Sequence, residues 1–209
     1  MKDKVYNLDF WSLIGLIIES PTKAFRQIIF AEHKNLVFLI LILVSLKYLI
    51  NIRFISMISI GDFQSSVGLQ ISYLIVLGVT ISFFLIFVYL YNLIGRLNKI
   101  YLRFKDTFAL LVYSQIPLVF ALIILFTLEL VILGDYLFSL NPNPFVVKGI
   151  IAYLFLALEI GTIAWSFYLS YKAFRAQSQT FSFSLAAVIS FVILFSFLLY
   201  ICSLFVFTI

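Results

Sequence analysis

The sequence predicts an all-α, polytopic membrane helix bundle in which five transmembrane helices follow an interfacial amphipathic helix. Three observations predict it. Of 209 residues, 64% are hydrophobic and 11% charged, and the mean hydropathy of +1.18 lies outside the range of a soluble domain that buries a single core. Five apolar runs reach the roughly 20 residues needed to cross a hydrocarbon core of about 30 Å. The density of Lys and Arg alternates from one connection to the next, as it does when connections alternate between the two sides of a membrane. Residues 1–35 read as a cytoplasmic, interfacial N-terminal segment and 36–209 as the five-span domain.

Before the first span come two short elements. The run Phe10 to Ile18, with Trp11, reads as an interfacial helix or a partly inserted hairpin. Its apolar stretch from Leu13 is ended by Glu19, Ser20 and Pro21, too soon for a cleavable signal peptide, so the N-terminus is expected to be retained. Ser20 is placed to cap a helix whose first residue is Pro21, a position where proline's missing N–H costs nothing. From there Ala24, Phe25, Ile28 and Ile29 fall on one side and Lys23, Arg26 and Gln27 on the other, the pattern of a helix lying in the cytoplasmic interface.

The spans follow as Leu36 to Ile55, Gln70 to Ile94, Thr107 to Leu133, Gly149 to Tyr171 and Phe183 to Phe207. Connections near Asn98 and Gln177 are short, which makes the helices they join antiparallel neighbours. In the third connection, Asn141, Pro142, Asn143 and Pro144 predict a non-helical turn. Lys2, Lys4, Lys23, Arg26 and Lys34 precede the first span, Arg96, Lys99, Arg103 and Lys105 follow the second, and Lys172 and Arg175 follow the fourth. The other side has only Arg53 and Lys148 at helix ends. The positive-inside rule therefore gives a cytoplasmic N-terminus and a C-terminus on the opposite side.

The net charge of +5 is spread over these connections and forms no basic stripe with interleaved aromatics, so nucleic acid is not an expected partner. Cys202, the single cysteine, allows no disulfide within the chain and reads as a buried, inert thiol. The one histidine, His33, stands beside Glu32 and Lys34 in the interfacial segment and reads as a headgroup contact. A zinc site needs several such ligands, and the nucleophile-elbow, zincin and phosphate-loop motifs are missing. The expectation is of no catalytic residue, no metal and no cofactor.

Ionisable residues inside a span are costly and mark candidate sites. Lys47 lies about 16 Å along the first span from its inner end and Glu159 about 19 Å along the fourth, at 1.5 Å per residue. Ala152, Thr162, Ser166 and Ser170 share a face with Glu159, and Asn51 lies one turn beyond Lys47. Lys47, Glu159, Ser166 and Asn51 thus form either a proton- or ion-linked site, a polar cavity for a lipid headgroup, or an ion pair that fixes packing. Glu129, with Arg53, Asp135 and Lys148, reads as an interfacial or paired charge near the outer surface. Pro117 predicts a kink or hinge in the third span, with Tyr113, Ser114 and Gln115 supplying polar groups beside it. Arg96, Lys99, Arg103 and Lys105 either contact anionic headgroups or only set topology.

Three stretches together resemble the Yip1 domain family of small five-span membrane proteins, in its prokaryotic form. Pro21, Phe25 and Ile28 are similar to the family's P-x-x-x-F-x-x-I helix ahead of the first span. Arg103 to Phe108, leading to Tyr113, Ser114 and Pro117, is similar to its basic segment and G-Y-S-x-x-P entry into the third span, with Leu111 and Val112 where many members carry glycine. Trp165, Leu169, Ala173, Phe174, Ser184 and Ala186 match its pattern from the fourth span into the fifth. The resemblance implies a non-enzymatic protein of the bacterial inner membrane that organises or recruits lipids, other integral proteins or copies of itself. The alternative is a small permease or lipid-transport subunit working through Lys47 and Glu159.

Overall fold

The computed structural model describes residues 10–31, 34, 36–59, 69–100, 102–139 and 142–208, which form a helical bundle with no strand among them. Lys2, Lys4, Glu32, His33, Asn141 and the side chain of Arg53 lie outside the described residues, and so do the expectations placed on them.

Helices α1 (Phe10–Glu19) and α2 (Pro21–Phe30) form a hairpin about Ser20. At about 15 Å each they are too short to cross a bilayer. Pro21 occupies the first turn of α2, as its sequence position predicts. The Ser20 hydroxyl makes no cap, however; its backbone carbonyl alone accepts from the Lys23 and Ala24 amides, at 3.0 and 3.2 Å. The apolar face of α2 is docked on protein: Ala24, Phe25 and Ile28 are fully buried, and the helix packs against the later helices α5 and α9. Helix α1 adds Leu13 and Ile17 to the core and leaves Trp11 and Ile18 exposed.

Helices α3 (Val37–Ser59) and α4 (Leu69–Leu97) pack together. Past α4 the chain turns through Lys99 at a φ of 59°, with the Lys99 and Ile100 amides donating to the Arg96 and Gly95 carbonyls at 3.0 and 2.8 Å. The return lays Leu102 on Gly95, where a Cβ would meet Leu102 Cδ1 at 2.3 Å. This close approach requires glycine.

The third apolar run is broken into pieces: α5 (Phe104–Tyr113), α6 (Ile116–Phe120), a π-helical turn (Ala121–Leu125), α7 (Phe126–Leu133) and a 3-10 turn (Gly134–Phe138). Pro117 has no N–H to give the Tyr113 carbonyl, so the ladder lapses at Ser114 and Gln115, where the sequence predicts a kink. After Pro142 the chain makes a single helical turn, α8 (Pro144–Val147), instead of continuing non-helical. Asn143 Oδ1 caps it, accepting from the Phe145 and Val146 amides at 2.6 and 3.3 Å. Helices α9 (Gly149–Ser178) and α10 (Phe181–Thr208) have 30 and 28 residues and run several residues past the predicted spans.

Among the described residues, four segments are long and apolar enough to cross a membrane: Gln70–Leu97, Phe104–Leu137, Gly149–Ser178 and Phe181–Cys202. A shorter apolar stretch, Val37–Ile52, lies in α3. The chain is thus a multi-pass membrane helix bundle. Between α4 and α10 the core is aromatic, with ring centroids of Phe83 and Phe195, Phe84 and Phe191, and Phe87 and Phe191 lying 5.1, 5.8 and 5.1 Å apart. Tyr48 joins it from α3, 4.6 Å from Phe195. A second cluster of Ala121, Leu125, Leu133, Leu137, Ala152 and Phe155 closes the third segment against the start of α9.

Candidate intramembrane site

Lys47 of α3 and Glu159 of α9 meet in the interior, the ammonium donating to Glu159 Oε1. Lys47 is wholly buried and Glu159 is 7% exposed. Both lie in apolar helices whose other nearby positions pack, so their charges satisfy each other or nothing. The pair has an aromatic wall, with Lys47 Nζ 5.8 Å from the centroid of Phe126, the first residue of α7. One turn on, and so on the same face as Phe126, stands Glu129. It is 5% exposed and within electrostatic reach of both Lys47 and Glu159. This corrects the expectation of an interfacial charge near the outer surface: the broken third segment carries Glu129 into the core.

Two buried polar atoms near the pair have no hydrogen-bond partner, Glu159 Oε2 and Ser166 Oγ. Thr162 donates to the Glu159 carbonyl at 2.9 Å. Asn51, one turn beyond Lys47, is half-buried.

A second polar layer lies at the break in the third segment. Tyr48 donates to Gln115 Oε1 at 3.1 Å, Gln115 Nε2 donates to the hydroxyls of Ser114 and Ser170 at 3.1 and 3.2 Å, and those hydroxyls are 2.8 Å apart. The lapse in the helix frees Gln115 to turn inward, so Pro117 positions this network without touching it. Tyr113 and Pro117 are both buried. Leu111 and Val112, at positions where the resembled motif carries glycine, are fully buried too.

The third layer is at the basic end of the bundle, where the connections 98–103 and 179–180 lie. Gln177 Nε2 donates to Thr107 Oγ1 at 2.8 Å, Asn92 Oδ1 stands 3.2 Å from the same hydroxyl, and beside them Lys34 is paired with Asp106. Sequence reasoning missed these groups. Thr107 precedes Ser114 by seven residues and Gln177 follows Ser170 by seven, so α5 and α9 run antiparallel in register and place a polar pair every two turns. That spacing was the available signal. Arg96, Lys99, Arg103 and Lys105 are all exposed at this end. Nearby, Lys172 Nζ lies 5.2 Å from the Tyr168 ring, and Arg175 donates to the Tyr171 hydroxyl at 3.0 Å.

No cluster of three or more His, Cys, Asp or Glu suited to a metal occurs among the described residues. Cys202 is a buried free thiol.

Comparison with known protein families matches residues 14–205 to the Yip1 domain. The chain belongs to the Yip1 domain family. No curated protein and no solved structure matches it. The Yip1 match begins within α1, so the docked hairpin is part of the domain rather than an appendage to it. The motif residues Pro21, Phe25 and Ile28 gain a physical meaning here: the proline starts α2, and Phe25 and Ile28 are the side chains that fasten it to the bundle.

Proposed function

We propose that this Yip1-family protein is non-enzymatic and organises membrane lipids, other integral proteins or copies of itself by lateral contact. The observation that supports this is how little of its last two helices the chain covers: 22% of the most apolar window in α9, and likewise in α10, is buried. Ile189, Ile193, Phe197 and Tyr200 are among the side chains left facing outward. Such flanks offer apolar surface to lipid chains or partner helices, while Arg96, Lys99, Arg103 and Lys105 offer positive charge to anionic headgroups at one end.

In this reading α3 also crosses the membrane and completes five spans. The basic end faces the cytoplasm, the C-terminus lies opposite, and the membrane is the bacterial inner membrane. Affinity purification in mild detergent, with identification of co-purifying proteins and lipids, tests the role. Reproducible recovery of a partner or of anionic lipid supports it. A protein that elutes alone yet moves a solute across liposomes overturns it.

A second reading, a small permease or lipid-transport subunit, rests on the buried polar atoms Glu159 Oε2 and Ser166 Oγ, which have no partner. In that reading Glu159→Gln loses flux in liposomes while the protein still folds.

A further inference from the structure

The interior of this bundle gathers three ionisable side chains from three segments: Lys47 from α3, Glu159 from α9 and Glu129 from α7. One ammonium balances one carboxylate. Glu129 is the odd charge, and it is buried as deeply as its neighbours. Among the described side chains, the next cation along is Lys148, whose ammonium donates to the Ile132 carbonyl. The Tyr48 hydroxyl is committed to Gln115, and no other ionisable side chain of α7, the π-helical turn or α6 joins the pair. An unbalanced charge in a membrane interior is strongly disfavoured, so the cluster calls for one further positive charge.

The second observation is Glu159 Oε2. With Oε1 on Lys47, this oxygen is buried and has no partner, an acceptor left over beside an excess negative charge. A metal ion fits poorly as the missing charge. Hard cations take six or more oxygen ligands, whereas the surroundings here are Phe126, Leu125, Ala152 and Phe155. A proton needs only one oxygen.

We infer that Lys47, Glu159 and Glu129 form a proton-binding site inside the bundle, holding one exchangeable proton on a carboxyl group in addition to the ion pair. The site is reversible, since uptake and release change only the charge of the carboxyl pair and break no other bond. The inference does not depend on the lateral-contact role proposed above and holds for a scaffold or a transporter alike.

The test uses the full chain in lipid nanodiscs, with glutamate labelled by 13C at the side-chain carboxyl. The glutamates are Glu19, Glu32, Glu129 and Glu159. At neutral pH the unaltered protein should show one protonated glutamate carboxyl, by solid-state NMR and by an infrared carboxyl band that shifts in deuterium oxide. Glu129→Gln should remove that signal, because the remaining pair is balanced. Lys47→Met should raise it to two protonated carboxyls, because both glutamates then lack a cation. Ionised signals alone in the unaltered protein overturn the inference without need of any variant. A protonated signal that survives both Glu129→Gln and Glu159→Gln, or one displaced by sodium ions at fixed pH, overturns it as well.

Discussion

Ser170 shows what one hydroxyl does in this interior. It stands 2.8 Å from Ser114 Oγ, accepts from Gln115 Nε2 and donates to the Ser166 carbonyl at 2.9 Å, so it ties α9 to the break in the third segment. Ser170→Ala should lower stability in detergent unfolding by about 1 kcal/mol, the scale of a hydrogen bond between membrane helices. Thr162→Ala, which removes a bond to its own helix only, should change it far less. Equal effects would show that the Ser114, Gln115 and Ser170 network carries no tertiary weight. At this scale the sequence was partly legible. Lys47 and Glu159 stand out because a charge inside an apolar run has few affordable surroundings, and their similar depths suggested contact. Glu129 was as conspicuous, but its facing depends on the π-helical turn at Ala121–Leu125, which adds a residue to the helix with no proline or glycine to announce it. The pairing of Lys34 with Asp106 spans 72 residues, and each residue alone looked like an ordinary surface charge.

At the scale of elements, the most informative one is α2. Its amphipathic face was plain in the sequence, but the sequence did not say what covers that face, since lipid chains and a protein core select the same residues. The structure covers it with α5 and α9. Phe25→Ala should therefore cost about 3 to 5 kcal/mol, as for a large core side chain, and should loosen the hairpin to proteolysis. A loss well under 1 kcal/mol would return α2 to the lipid surface. The third segment makes a similar point. Pro117 predicted the break because proline removes a specific N–H, whereas the short helix at Pro144–Val147 depends on the Asn143 cap, which a run of Asn and Pro equally allows to be a plain turn.

For the whole molecule, the length and apolarity of the runs made the membrane bundle legible. They did not decide what surrounds each helix, which depends on side chains such as Phe84 and Phe191 meeting across α4 and α10. Orientation is an expectation carried by the basic connections. In a Cys202→Ala background, Arg103→Cys and Thr180→Cys should react with a membrane-impermeant thiol reagent only from the cytoplasmic side, and Val146→Cys only from the other. Labelling of all three from one side would contradict the five-span, N-in arrangement. The central claim is that Lys47 and Glu159 hold α3 to α9 as a unit, and a double-mutant cycle of unfolding free energies tests it most directly. Lys47→Met and Glu159→Gln should each cost about 3 to 5 kcal/mol by leaving a buried charge, while the double variant recovers much of that loss. Strictly additive losses would contradict the claim.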